Sequence, residues 1–317
     1  MIDRIFTSWV TFTQIARKRF AWIGYVLVAV SVIYLAALLF ISWGRFSTIP
    51  WEHFWRAGLI SLFLYLFSQI PQLAIWLRMM TFHHKVGWND FKIFFQSMLL
   101  RRIPGGVWHW VGRISLYSGT TEITPKTVLY ANFLEWSLII LVAVGIVFLG
   151  EPVSDKIGIF SIFGAIGAWS AAVAFAYKWF PSKVLKKARI LESISWLLVY
   201  AIAWIMGGLI IYVFSQSNAG SSITFWNALW VWAVAGGISW VIIIIPSGLG
   251  VREITLTTLL NPYIGTSQAL VIAVGIRLVF LVADFVWGGL GWLIGHWLDR
   301  HAKRLASIPP PDQSFNG

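Results

Sequence analysis

The chain has no cysteine and little charge, acidic charge least of all: 12 Asp and Glu against 24 Lys and Arg in 317 residues. Without cysteine there is no disulfide, no thiol nucleophile and no thiolate metal site. Charged residues make up 11% of the chain, where a soluble domain carries about 25%. With 58% hydrophobic residues, too little polar surface remains for water, and lipid is the expected solvent. The sequence has no Walker motif, dinucleotide fingerprint or nucleophile elbow, so neither ATP-driven transport by this chain alone nor a soluble catalytic domain is expected. No cofactor and no metal are expected: His83 and His84 have no further ligand at metal spacing and look like a solvated loop pair.

Long apolar runs are plentiful. A spanning helix needs about 20 mostly apolar residues, since the hydrocarbon core is about 30 Å thick and a helix rises 1.5 Å per residue. Ala21–Trp43, Ala57–Leu77, Leu129–Leu149, Ile157–Tyr177 and Ile190–Ser215 each meet this, and Ser267–Leu298 is long enough to tilt, kink or protrude. The first run is too long for a signal core and lacks a small-residue cleavage site, so it is expected to remain as a helix. Tryptophans at 43, 51, 55, 179 and 297 fall near run ends, the headgroup level that Trp favours.

The net charge of +12 points to topology here and not to nucleic acid. Arg17–Arg19 precede the first run, seven basic residues lie between Arg78 and Lys126, five between Lys178 and Arg189, and Arg300, Lys303 and Arg304 follow the last run. The positive-inside rule then predicts a multi-pass protein of the cell (inner) membrane with both termini cytoplasmic, about 19 of the 24 basic residues falling inside. This holds only if 89–118 and 225–262 each enter and leave on one side, as a re-entrant hairpin or a spanning pair. Phe91, Phe94, Phe95, Met98 and Leu99 give Asn89–Arg102 a helical apolar face too short to span, which favours hairpins.

Two breakers interrupt the apolar runs: Ile103-Pro104-Gly105-Gly106-Val107 and Ile245-Pro246-Ser247-Gly248-Leu249. Each leads into an arginine-bearing stretch, with Arg113 and with Arg252, and then a long apolar helix. Thirty-one positions separate Pro104 from Glu135, and likewise Pro246 from Arg277; Thr124 and Thr266 share the register. With the topology above, these are two halves of opposite orientation. Broken helices at matching places in inverted halves are the sequence pointer to a transporter site near the midplane. Backbone broken in hydrocarbon needs protein or water to satisfy it. Gly105, Gly106, Gly248 and Gly250 allow sharp turns, and the helix that follows aims free N–H groups at the turn, suiting an anion such as lipid phosphate.

Glu135, Arg277 and Asp284 lie inside spanning runs, where a charge costs at least about 2.5 kcal/mol and so faces a cavity or a partner. Glu135 and Arg277 are opposite in sign and matched in register, so a pair across the two halves is one expectation, structural or part of a transport cycle. Arg113 and Arg252 suit bidentate phosphate binding, with snorkelling as the alternative; Arg101 and Arg102 fit a cytoplasmic edge. Glu253 pairs locally or relays a proton. Gln69 and Gln72 line a cavity or bond to neighbouring helices, and Gly291–Gly295 allows close helix packing.

Arg101-Arg102-Ile103-Pro104-Gly105-Gly106-Val107-Trp108, the following Gly112-Arg113, Ile245 through Glu253, and Ala269–Leu278 with its Ile276-Arg277-Leu278 together resemble the lysylphosphatidylglycerol synthase transmembrane family, whose members are also called flippase-like domain proteins. The resemblance runs from about residue 20 to 298 and implies a membrane domain that moves lipids between leaflets. Bifunctional members carry a separate cytoplasmic transferase domain, for which a chain ending at Gly317 has no room, so synthase activity is not expected.

The fold expected is an all-α polytopic membrane bundle of about six spanning helices plus two Pro/Gly-broken re-entrant hairpins in an inverted repeat. Residues 1–304 form one membrane domain, with halves at about 57–150 and 190–298, and 305–317 form a disordered tail. The function expected is translocation of an anionic lipid or lipid-linked glycan. Arg113, Arg252 and the glycine turns would hold phosphate, Glu135, Arg277, Asp284 and Glu253 would line or gate the path, and Pro104 and Pro246 would set the breaks. A membrane lipid is the substrate; a homodimer or a partner glycosyltransferase stays open. A membrane-embedded lipid transferase using Glu253 or Asp284 as base, and a non-transporting scaffold, are the alternatives.

Overall fold

The structure is a computed structural model. It describes residues 51–100, 108–118, 123–150, 190–217, 221–241 and 251–306, with isolated helical positions at 33, 37 and 40. The expected spans Ala21–Trp43 and Ile157–Tyr177, both breakers with Pro104, Gly105, Gly106, Pro246, Gly248 and Gly250, Arg101 and Arg102, and the tail beyond Ala306 lie outside these residues. Among the described residues the protein is all-α, with eight helices and no strand.

These helices are α1 (Trp51–Thr81), α2 (Trp88–Leu100), α3 (Trp108–Tyr117), α4 (Pro125–Leu149), α5 (Ile190–Gln216), α6 (Phe225–Val241), α7 (Val251–Ile264) and α8 (Thr266–Ala306). Four are long and apolar enough to cross a membrane, over 51–81, 125–149, 194–216 and 266–297. Each contains an expected span, and α1 adds polar ends suited to the headgroup layer. Helix α8 is unbroken over 41 residues, roughly 60 Å at 1.5 Å per residue, so it protrudes well past the hydrocarbon and takes in the first two positions of the expected tail. Helices α2, α3, α6 and α7 have 13, 10, 17 and 14 residues, roughly 15–25 Å, all short of a bilayer.

Local chemistry sets the helix ends. Thr124 caps α4 by accepting from the Thr127 N–H, and Pro125 occupies the first turn, where its missing N–H costs nothing. Gly265 has φ +79°, the left-handed conformation that lets α7 turn directly into α8; its N–H returns to the Asn261 carbonyl at 2.9 Å. Helix α1 continues through Pro71. Pro71 has no N–H for the Phe67 carbonyl one turn back, and nearby Gln72 donates to its own helix, at the Ser68 carbonyl, 3.1 Å away. Gln72 thus serves its own helix and not a neighbouring one.

Specific contacts fix how the helices run. Phe54 stacks near Phe214 while Arg78 bonds Glu192, so α1 and α5 are antiparallel. Gly288, Gly291 and Gly295 of α8 lie against Leu99, Phe95 and Lys92 of α2, again antiparallel. Gly150 and Gly237 mark the same relation between α4 and α6, through Trp230 and Ala143. Gly208 brings α5 so close to α6 that a Cβ there would stand 2.8 Å from Leu229 Cα. The set of well-packed helix pairs is unchanged when α1, α2, α3 and α4 are exchanged for α5, α6, α7 and α8. Two buried clusters follow the same division. One is built mainly from α1–α4 and takes Trp196 and Tyr200 from α5; the other is built mainly from α5–α8 and takes Ala57 from α1 and Ala143 from α4.

Candidate functional site: two buried ion pairs of opposite order

Helices α2 and α3 lie side by side and antiparallel, with Ser97 against Arg113 and Asp90 against Tyr117. Helix α3 also packs on α4, where Arg113 meets Asn132 and Glu135. Arg113 is fully buried in this wedge. Its Nε donates to Ser97 Oγ at 3.1 Å, and its Nη1 donates to Asn132 Oδ1 at 3.0 Å and to Glu135 Oε2 at 2.5 Å. Trp76 of α1 and Phe94 of α2 present their rings to the guanidinium at 4.0 and 4.8 Å. Such a cation is held by charge, hydrogen bonds and ring quadrupoles together. Three buried atoms of the cluster have no hydrogen-bond partner among the described residues: Arg113 Nη2, Asn132 Nδ2 and Glu135 Oε1.

The second centre repeats this plan with the charges exchanged. Arg277 of α8 donates to Glu253 of α7, and both are largely buried. In the first centre the long helix supplies the acid and the short helix the base; in the second the order is reversed. Arg252, half-buried beside Glu253, donates from Nε to Ser239 Oγ at 3.4 Å and stands 5.3 Å from the Trp232 ring. Ser97 and Ser239 each lie seven positions before the breaker proline of their half. Each gives its own proton to a carbonyl of its own helix, Phe94 and Ala235, at 2.6 Å. That leaves the serine oxygen as an acceptor for an arginine on the following helix.

Glu135 and Arg277 therefore do not pair with each other; each is neutralised within its own half. Glu253 pairs with Arg277 on the next helix. Asp284 is buried on α8 and accepts from Tyr65 Oη at 3.4 Å, while the Tyr65 ring stacks on Phe280 at 4.1 Å. His84 is part-buried and bonds Asp90 at 2.9 Å, contrary to the solvated pair expected. Asp90 also takes the Gly87 N–H at the start of α2 and the Tyr117 hydroxyl, both at 2.8 Å, which ties the α2 start to the α3 end.

Ser97, Asn132, Trp76 and Ser239 complete the two centres without having been singled out from the sequence. The serines carried a signal, their equal distance from the prolines; Trp76 and Asn132 are brought in by packing alone. The chain matches no family model and no curated protein.

Proposed function

We propose that the protein translocates an anionic lipid between leaflets, using two inverted halves that each contain a re-entrant hairpin. The observation that carries this is the run of the helices: α1 through α4 alternate in direction, and α5 through α8 alternate in the opposite sense, with the packed pairs conserved between them. Over the described residues the helices of α2–α3 and α6–α7 have 10 to 17 residues, fewer than the about 20 that a span needs. Each hairpin joins its helices across a Pro-Gly segment and brings a Ser–Arg contact beside a buried ion pair. Short broken hairpins entering from opposite faces suit a site near the midplane. Arg113 and Arg252, with the amides of the glycine turns, would hold the phosphate. Glu135, Glu253, Arg277 and Asp284 would gate its path as one half rocks against the other. The motif resemblance to the lysylphosphatidylglycerol synthase transmembrane family adds to this reading, as do the cytoplasmic termini expected from charge.

The test is reconstitution. Purified protein in vesicles should move labelled phospholipid or polyprenyl-linked lipid between leaflets faster than empty vesicles do; equal rates end the proposal. One observation favours a second reading, a non-transporting scaffold: Arg113 has no exposed surface and already holds a counter-charge. That reading expects no lipid movement and a partner enzyme lost on deletion of the protein. The transferase reading needs Glu253 or Asp284 as a base, and Glu253 is already engaged by Arg277.

A further inference from the structure

In the first centre the Glu135 carboxylate takes an Arg113 N–H that an incoming anion would need. Glu135 holds Arg113, yet Arg113 Nη2 and Asn132 Nδ2 remain as two buried N–H donors without an acceptor among the described residues. The second pair, Glu253 with Arg277, has a further guanidinium, Arg252, next in the chain, so its charge sum differs from that of the first. Burying uncompensated charge is costly, so a centre in hydrocarbon is stable only near neutrality. In the first centre guanidinium plus carboxylate sums to zero. Adding a phosphodiester monoanion leaves one negative charge in excess, unless the carboxylate takes up a proton. Guanidinium, carboxylic acid and phosphodiester then sum to zero again.

We propose that Glu135 is a proton-binding site that releases Arg113 to a lipid phosphodiester headgroup, one proton being taken up for each headgroup bound. The identity of the ligand as a lipid rests on the translocase reading; the exchange itself does not. The proton comes from solution and bonds to the carboxylate oxygen. The Arg–Glu ion pair opens, and the guanidinium bonds re-form to phosphate oxygens. Other ionisable groups stand on the surrounding helices: Asp90 on α2, His109 and Tyr117 on α3 and Tyr200 on α5 for the first centre, and Arg252 on α7, Asp284 on α8 and Tyr65 on α1 for the second. Asp90 is bonded by Tyr117 and His84, and Asp284 by Tyr65. Both carboxylates therefore have partners other than the two arginines.

The experiment measures binding and proton uptake on the full chain in detergent, with short-chain phosphatidylglycerol as the probe. Its phosphodiester stays singly charged across the neutral range, so any pH dependence belongs to the protein. At the alkaline end the Kd should rise roughly tenfold per pH unit, with about one proton taken up per lipid bound. E135Q, a neutral mimic of the protonated acid, should bind more tightly than wild type there and lose the slope. A wild-type Kd that ignores pH, binding without proton uptake, or a slope that survives in E135Q overturns the proposal. If E135Q fails to fold, proton uptake by wild type still decides it. Glycerophosphoglycerol, the headgroup without chains, is run in parallel: a slope with either ligand supports the exchange, and the two affinities distinguish a lipid source from a free phosphodiester. Vesicle translocation is scored separately. Lipid movement with pH-independent binding removes the exchange alone, and proton-linked binding without lipid movement removes the translocase alone.

Discussion

The Arg113 guanidinium stands 4.0 Å from the centre of the Trp76 ring, joining a helix outside the first hairpin to the cation inside it. A desolvated cation–π contact is worth about 2 kcal/mol, and truncating a buried Trp costs more through lost packing. Trp76→Leu should therefore destabilise the protein by about 3 kcal/mol. Trp76→Phe, which keeps an aromatic face, should cost about half as much. Thermal unfolding in detergent measures both.

The buried and exposed ion pairs should behave differently. Arg113→Met leaves Glu135 buried without its counter-charge and should cost about 3–5 kcal/mol. Adding Glu135→Leu should recover a large part of that loss, because the pair is removed whole. Arg78 and Glu192 bond on a more open surface, with half of the Arg78 side chain exposed. Glu192→Gln should cost no more than about 1 kcal/mol and less still at high salt. A double-mutant cycle on each pair reads the contrast.

Two glycines separate close approach from mere helix content. At Gly208 a methyl would meet the Leu229 backbone at 2.8 Å, whereas nothing lies within 4 Å at Gly145. Gly208→Ala should lose about 1–3 kcal/mol by forcing α5 from α6. Gly145→Ala should be neutral or gain up to about 1 kcal/mol. The measured quantity is the shift in Tm.

The absence of native cysteine gives a clean background for labelling. Asn89 opens the first hairpin and Ser222 precedes the second, and both are exposed. In oriented vesicles or spheroplasts, Asn89→Cys should react with an impermeant maleimide from the cytoplasmic face and Ser222→Cys from the opposite face. Labelling of both from one face removes the inverted arrangement.

Much of this was legible in the chain. Apolar length marked all four long described helices. The shared register of Glu135 and Arg277 pointed to two positions that each carry an ion pair. The pairing itself was misjudged for a physical reason. Gly265 turns α7 directly into α8, and α3 packs on α4 through Arg113 and Glu135. Opposite charges 22 and 24 residues apart then meet inside each half before any contact across it. Trp76 carried no local signal, since its role arises when α1 packs over the hairpin. Ser97 and Ser239 stand at matched distances from the prolines, but only the packed helices show that each accepts from an arginine.

The reversed order of the two ion pairs also bears on membrane voltage. Moving one elementary charge across 100 mV involves about 2.3 kcal/mol. Each acid–base couple has zero net charge, so displacing either one through the field performs no electrical work. Voltage therefore gives neither couple a preferred side of the membrane while its ion pair stays closed.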